Sequence, residues 1–284
     1  MYELDRKIVQ LSLCSTALFI LIAFKCPKQY SKFLNFIFVF IIFISLIILS
    51  WRIEKSFSSI PFILIERIFN GTSQRICLLL FWSICVLASL TFSLIVKLRS
   101  RSSTVHRKFF HLTVSLICVT GIKYDFQLTW LSAWIVLNIF IITELIRSKD
   151  IRPLSVFLNN WLLIFLDEQD SVYLILTPIY LILDPPELYH FAGVLTVGIG
   201  DSMASIVGTI MGYHYWPDSR KTIEGSIAFI LSQFVFSLLF GFILVSSSID
   251  IIKILFISVL CGILEGLIKR GDNIIVPFIA YLLF

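Results

Sequence analysis

The stretch "GVLTVGIGDSMASIVGTIMG", residues 193–212, carries an ionisable side chain inside a run that is otherwise apolar enough to cross a bilayer. Asp201 lies near its middle, shortly after Gly198 and Gly200. A carboxylate at mid-membrane costs roughly 2.5–3.5 kcal/mol, so it is expected to face a wet or charged cavity that contains a partner. The two glycines would let the backbone bend or expose amide groups, and exposed amides form nests that hold phosphate.

The same stretch also fits simple helix packing. Small residues at every fourth position let transmembrane helices approach closely, and this spacing explains Gly208 and Gly212 without any ligand. It does not explain Asp201. The stripe consists of Thr196, Gly200, Ala204, Gly208 and Gly212.

The next segment, "GYHYWPDSRKTIEGS" at residues 212–226, adds cations and a second carboxylate. Its Pro-Asp pair marks a turn, after which Arg220 and Lys221 stand at a helix start. Glu224 follows one turn later, where it can pair with Lys221 or hold a metal. Magnesium prefers one or two carboxylates together with substrate phosphates. These residue types are typical of a nucleotide site with magnesium, although Arg220 and Lys221 also fit an ordinary cytosolic anchor.

A second polar group is "HRKFFHL", residues 106–112. Arg107 and Lys108 end a basic loop, and His111 lies one turn inside the following apolar run, on the same helix face as Arg107. The basic pair fits an interfacial anchor, whereas a histidine in lipid suggests a function. An acidic run, DEQD, begins at Asp167.

Two further acid–base pairs have helical spacing. Glu144 and Arg147 lie three residues apart near the end of an apolar run, which predicts a structural ion pair. Glu265 and Lys269 lie four apart and precede Asp272. Glu265 is deep enough in its apolar run to need a partner.

The composition decides which elements must position these residues. Of the 284 residues, 58% are hydrophobic and 14% are charged, whereas soluble domains average about 45–50% and about 25%. We therefore predict an all-α, polytopic transmembrane bundle of about eight to ten spans with no soluble domain. The predicted spans are 8–24, 33–51, 76–96, 126–146, 188–211, 226–245 and 250–268, and the shorter apolar stretches are 109–122, 172–183 and 273–284.

The polar residues divide the chain into two functional parts. Residues 1–98 are predicted to be N-terminal scaffold spans, and residues 99–284 to carry the site. The first apolar run lacks a small-x-small cleavage site, so we expect a retained span. Basic clusters near residues 97–108, 147–152, 220–221 and 269–270 are separated by even numbers of spans where this can be counted. They can therefore share the cytosolic face.

Five segments together resemble the polyprenol kinase family, which includes dolichol, phytol and CTP-dependent diacylglycerol kinases, and are most similar to the dolichol kinases. The combination of TVGIGDSMASIVG with KTIEGS is specific, and neither half alone would be. The resemblance covers about residues 105–284, and animal dolichol kinases carry more spans before this part. The segments are "RKFFHL", "DEQDS" followed by "LILTPIYLIL", "GVLTVGIGDSMASIVGTIMG", "WPDSRKTIEGSIA" and "EGLIKRGDNIIVPFIAYLLF".

This resemblance implies transfer of the γ-phosphate of CTP to the hydroxyl of dolichol, which yields dolichyl phosphate for protein glycosylation. It also implies a divalent cation such as Mg²⁺ and a multi-pass protein of the endoplasmic reticulum membrane whose site faces the cytosol. The CTP-binding segment would be about residues 193–226. The expected partners are CTP, the polyprenol or dolichol lipid and the bilayer, with no nucleic acid.

Positioning and charge neutralisation dominate phosphoryl transfer, and they suggest a role for each polar residue. We expect catalytic roles for Asp201, Lys221 and Glu224. The cation would be held by Asp201, Glu224 and Asp167. The nucleotide would be bound by Gly198, Gly200, Ser202, Arg220, Lys221, Thr222, Arg107, Lys108 and His111.

Other functions also fit these residues. The acceptor could be another lipid alcohol, such as phytol or diacylglycerol, because the shape of an apolar pocket decides the acceptor. The reaction could also be a cytidylyl transfer. A transporter of an anionic solute could use charged groups at mid-membrane. A non-catalytic assembly or lipid-binding subunit would use the small-residue stripe only as a helix interface.

Overall fold

A computed structural model describes residues 2–27, 30–99, 104–162, 187–245, 250–269 and 271–284, with the side chains of 2, 99, 104–107, 161 and 162 excepted. The acidic run that begins at Asp167, the apolar stretch 172–183 and the side chain of Arg107 therefore lie outside the described residues.

Helices make up most of the described chain, which confirms the all-α prediction. A 3₁₀ turn, Leu188–Phe191, and a π-helical turn, Val194–Gly200, precede the eighth α-helix. β-structure in the described ranges is limited to one bridge between Tyr215 and Thr222. The described α-helices are α1 Tyr2–Lys25, α2 Phe33–Arg52, α3 Ile60–Phe69, α4 Ser73–Arg99, α5 Thr104–Tyr124, α6 Phe126–Ser148, α7 Leu154–Leu162, α8 Asp201–Met211, α9 Ile223–Leu244, α10 Ile251–Leu267 and α11 Asp272–Leu283.

Six helical segments of the described chain are long and apolar enough to cross a membrane. Each coincides with a span predicted from the sequence, so the multi-pass architecture is confirmed. The remaining predicted stretches that are described correspond to α5, α10 and α11, and the total of eight to ten crossings stays a prediction. The six segments are Glu3–Lys25, Phe33–Arg52, Ser73–Leu98, Phe126–Ser148, Leu188–Met211 and Ile223–Leu244.

The chain folds into two compact units that are discontinuous in sequence. The first contains Met1–Cys77 and Gln127–Ile164, and the second contains Leu78–Phe126 and Phe165–Phe284. These units follow spatial contacts, whereas the boundary predicted near residue 98 concerns function and stays a prediction.

Polar contacts join helices of the first unit across an apolar core. Thr16 of α1 donates a hydrogen bond to Asn138 Oδ1 of α6 at 2.6 Å, and both residues are buried. Interhelical hydrogen bonds of this kind add to van der Waals packing between membrane helices.

Within α6, the predicted Glu144–Arg147 ion pair is confirmed, with Arg147 Nη2 and Glu144 Oε1 2.6 Å apart.

The first unit also contains a buried ion pair between α1 and α3. Arg67 of α3 donates from Nε and Nη2 to the two carboxylate oxygens of Asp5 on α1, each at 2.6 Å. The Asp5 side chain is 1% exposed and that of Arg67 is 3% exposed. A bidentate pair fixes the relative orientation of its two helices, and either charge left alone would be costly to bury.

Replacing Asp5 with asparagine should therefore destabilise the protein strongly. Breaking a buried ion pair by removing one partner costs about 3–5 kcal/mol, so we expect a loss in the free energy of unfolding of that order. Denaturant unfolding of the purified protein in detergent measures it. Glu3→Gln is the matched control, because Glu3 is exposed and its ion-pair partner is Lys7 one turn away. Equal stability of the two variants would contradict the prediction.

In the second unit, close helix contacts occur where side chains are missing. A Cβ on Gly198 would lie 1.8 Å from Ser115 Oγ of α5, and one on Gly200 would lie 2.8 Å from the ring of Phe229 on α9. The contact at Gly200, one member of the small-residue stripe, fits the helix-packing interpretation of that stripe.

Candidate active site

Asp201 begins α8 directly after the π-helical turn. A π-helical turn places an extra residue in one turn and so changes which side chains share a face. Lys108 of α5 donates from Nζ to Asp201 Oδ2, and each of the two side chains is 13% exposed. The carboxylate expected to need a partner has one, supplied by a lysine from another helix.

Lys221 is positioned by a hairpin that connects α8 to α9. The Trp216 amide donates to the Lys221 carbonyl at 3.0 Å, and the Ile223 amide donates to the His214 carbonyl at 2.8 Å. Thr222 then caps α9, because its Oγ1 accepts from the Gly225 amide at 3.1 Å. N-capping satisfies one of the free amides of a helix start. The hairpin and the cap together fix the backbone of Lys221 beside the first turn of α9.

The Lys221 ammonium lies between two carboxylates. It donates to the Glu265 carbonyl oxygen at 2.6 Å and lies 3.0 Å from Glu265 Oε1. It also donates to Asp272 Oδ2 at 2.5 Å. Glu265 lies in the last turn of α10, and Gly271, with φ of 76°, provides the left-handed turn that brings Asp272 to the start of α11.

This pairing raises the pKa of Lys221. Burial by itself would lower the pKa of the lysine, but the carboxylates of Glu265 and Asp272 outweigh it and raise the pKa above the usual 10.5. A lysine whose pKa is raised by folding stabilises the folded state. This stabilisation is complete at pH values below the pKa that the lysine has in the unfolded chain, and it is lost as the pH rises through the pKa of the folded state. Lys221 is therefore cationic at physiological pH.

Asp201, Arg220 and Lys221 line one cavity of about 1040 Å³. This agrees with the expectation that the buried acid shares a pocket with the basic residues of the next loop. Cavities of roughly 300–1,000 Å³ are typical of small-molecule sites. Other lining residues include Lys108, Ser205, Gly208, Thr209, Trp216, Thr222, Glu265, Lys269 and Asp272.

Glu224 occupies a different position from the one predicted. Its Oε1 lies 2.6 Å from Nδ1 of the exposed His214, and the His214 amide also points to this carboxylate. Among the described residues, the carboxylates paired with Lys221 are Glu265 and Asp272. The predicted pairing of Glu224 with Lys221 is wrong, because the hairpin brings His214 beside Glu224 and directs Lys221 towards α10 and α11.

Three other predicted site residues are not among the described residues that line the cavity. Gly198 and Gly200 pack against α5 and α9, and neither is among the described residues that line the cavity. Ser202 is buried, and its Oγ has no hydrogen-bond partner in the part of the chain that the structure describes. Their roles in binding nucleotide stay predictions.

His111 is buried on α5, close enough to Asp201 to interact with it electrostatically. Glu265 and Asp272 were not predicted as site residues, although the depth of Glu265 in its apolar run indicated a partner. Nothing in the local sequence indicated that this partner is Lys221.

The charges of the cavity cancel. Its lining contains four basic and four acidic side chains. Lys108 and Lys221 are already paired with carboxylates, whereas no ion pair of Arg220 is found among the described residues. A phosphate that binds at either lysine must therefore exchange places with a carboxylate or bring a cation of its own. The eight residues are Lys108, Arg220, Lys221, Lys269, Asp201, Asp218, Glu265 and Asp272.

Comparison with known proteins identifies the family. A family model described as "Dolichol kinase" matches residues 4–185. The chain belongs to the dolichol kinase family. The match includes most of the N-terminal spans, so the similarity of this family member begins well before residue 105. No solved structure matches the chain.

Curated relatives from animals and yeast are similar over part of their length. A human dolichol kinase is 33% identical over 217 residues, which cover 66% of this chain and 40% of the relative. A mouse dolichol kinase is 35% identical with the same coverage. A dolichol kinase of Saccharomyces cerevisiae is 29% identical over 222 residues, which cover 75% of this chain and 42% of the relative. The chain thus spans about two fifths of the length of these relatives.

The geometry predicts that Lys221 reacts slowly with amine-selective reagents until a carboxylate is removed. Glu265→Gln or Asp272→Asn should lower the pKa of Lys221 and expose more neutral amine. A shift of one unit makes acylation near pH 9 roughly tenfold faster. Mass spectrometry after brief labelling in detergent measures it. Lys269 is the internal control, because its nearest carboxylate, Asp218, is 4.0 Å away and exposed. Unchanged Lys221 labelling would refute the proposed pairing.

Proposed function

We propose that this protein is a CTP-dependent lipid kinase that transfers the γ-phosphate of CTP to the hydroxyl of dolichol. Three curated relatives carry the name dolichol kinase, and the motifs around Asp201 and Lys221 resemble those of CTP-dependent kinases. The observation that carries the proposal is one cavity that is lined by α8, the hairpin, α10 and α11. It brings Asp201 of α8 together with Arg220 and Lys221 of the hairpin, beside apolar helices. Such a cavity can admit a soluble anion next to a lipid.

In the proposed reaction the dolichol oxygen forms a bond to the γ-phosphorus, the bond between that phosphorus and the β–γ bridging oxygen breaks, and CDP leaves. Catalysis then depends on positioning and charge neutralisation. Arg220 and Lys221 would hold the phosphates. Asp201 would hold the divalent cation, and Lys108 would keep the Asp201 side chain in the cavity. The proton of the lipid hydroxyl would leave to water.

A divalent cation fits this cavity. Because the lining charges cancel, a nucleotide needs added positive charge, and carboxylate oxygens with phosphates are the ligands that Mg²⁺ prefers. We propose Asp201 as the protein ligand in place of Glu224, which pairs with His214. The cation, when bound, supplies neutralisation of the β- and γ-phosphates. In the part of the chain described, no cluster of three His, Cys, Asp or Glu residues could hold a metal by itself, so nucleotide phosphates would complete the coordination.

We further propose that the protein lies in the endoplasmic reticulum membrane with this cavity facing the cytosol. Arg220, Lys221 and Lys269 line the same cavity, and basic residues are enriched on the cytosolic side. There the product, dolichyl phosphate, would enter protein glycosylation.

The function is tested by incubating membranes that contain the protein with γ-labelled CTP or ATP and a panel of dolichol, phytol and diacylglycerol. The label should move from CTP to dolichol. Transfer to phytol or diacylglycerol would reassign the acceptor, and transfer from ATP would reassign the donor. Nucleotide flux into vesicles without turnover would instead indicate a transporter.

The Asp201→Asn variant should lose activity by about 100-fold or more, the size of effect seen when one preorganised electrostatic contact is removed. Glu224→Gln is the matched carboxylate control, since Glu224 does not line the cavity among described residues. It should retain activity within a few-fold. Initial rates are compared at equal amounts of folded protein, measured by size-exclusion chromatography. Normal turnover by Asp201→Asn would reject its role.

Lys221 gives a graded comparison. Lys221→Arg keeps the cation, although the planar guanidinium does not reproduce the geometry of the ammonium, and should retain more activity than Lys221→Ala. In the alanine variant two buried carboxylates also lose their cation. Rates with CTP and dolichol measure the order, and equal rates would show that the charge of Lys221 is not used.

A further inference from the structure

Trp216 lies in the hairpin next to the cavity and is half-buried. Its indole Nε1 donates a hydrogen bond to Ser226 Oγ, in the first turn of α9, at 2.9 Å. Its amide donates to the carbonyl of Lys221. Trp216 therefore joins the hairpin strand that carries Lys221 to the helix that follows it.

The indole of Trp216 also occupies the place of a missing side chain on α10. A Cβ on Gly266 would lie 2.4 Å from the indole Nε1 and 2.5 Å from its Cε2. It would also lie 3.0 Å from Ser226 Oγ. The absence of a side chain at residue 266 lets the ring lie directly against the α10 backbone, beside Glu265.

These contacts converge on one point. Lys221 is held from the α10 side by the carbonyl and carboxylate of Glu265, and Trp216 contacts both the backbone of Lys221 and the residue after Glu265. The distance between the hairpin and the end of α10 therefore depends on the indole. A charge-assisted hydrogen bond is sensitive to such distances.

We propose that Trp216, hydrogen-bonded to Ser226 and seated on Gly266, is a positioning residue that sets the distance between Lys221 and Glu265. It does not touch the reacting phosphate in this scheme. It acts through Lys221, and its kinetic consequence rests on the proposed function, with the nucleotide phosphates as the ligands of Lys221.

The first test measures the geometry without any enzymatic reaction. Lys221 acylation near pH 9 is followed by mass spectrometry in Trp216→Phe, Ser226→Ala and the double variant. Each single variant should label several-fold faster than the parent, up to roughly tenfold. The double variant should be no faster than the more reactive single variant, because both changes remove the same hydrogen bond. Tyr213→Phe, at an 80% exposed aromatic of the same loop, should label as the parent does.

The second test separates positioning from general loss of structure. With CTP and dolichol, Trp216→Phe and Ser226→Ala should raise the KM for CTP by roughly tenfold, the factor that corresponds to one charge-assisted hydrogen bond. The KM for dolichol should stay within about twofold in the same preparations. A merely structural role would lower the amount of folded protein while leaving the KM for CTP unchanged.

The outcomes distinguish this inference from the proposed function. Faster Lys221 labelling in a protein that does not phosphorylate dolichol would support the positioning role and reject the kinase. Unchanged labelling of Lys221 in active variants would overturn the positioning role and leave the kinase standing. Additive effects of the two substitutions would also overturn it. If Trp216→Phe does not fold, Ser226→Ala decides alone, since it removes only the acceptor of the indole hydrogen bond.

Discussion

A charge buried among apolar helices must have a partner, and the described part of the second unit is arranged around this requirement. Asp201 is satisfied by Lys108, and Lys221 by Glu265 and Asp272. Each pair joins elements that are far apart in the chain, so the same contacts that neutralise charge also fix the helices. Removing either member of such a pair leaves the other uncompensated, which is more costly than losing an exposed ion pair. Stability and site geometry are therefore coupled.

Close packing is the second condition for this site. The ring of Phe229 lies where a side chain on residue 200 would be, Ser115 does the same at residue 198, and the indole of Trp216 does so at residue 266. The hydrophobic effect does not drive helices together inside lipid, so membrane helices depend on close packing, which small residues allow. Gly198 and Gly200 serve this approach in the structure, and their role in holding phosphate stays a prediction.

The neutrality of the cavity has a chemical consequence. A site whose lysines are already paired does not attract anions by net charge, so discrimination must come from what a ligand can offer in exchange. A phosphate that brings a divalent cation can replace one ion pair with another without leaving a buried charge alone. The proposed function, in which a phosphate donor brings a divalent cation to a lipid, meets this condition.

The sequence by itself determined the helices and the six long spans, and it indicated that Asp201 needs a charged partner. Apolar run length and an isolated charge in lipid are local properties that a reader of the chain can measure. Only the tertiary structure decided the partners, because those of Asp201 and Lys221 lie 93, 44 and 51 residues away. Glu224, three residues from Lys221 and the obvious local choice, pairs with His214 instead. Local spacing shows which residues are neighbours along one helix. The direction of the hairpin and the rotation of each helix decide which residues meet between helices, and no short sequence pattern encodes that direction or rotation.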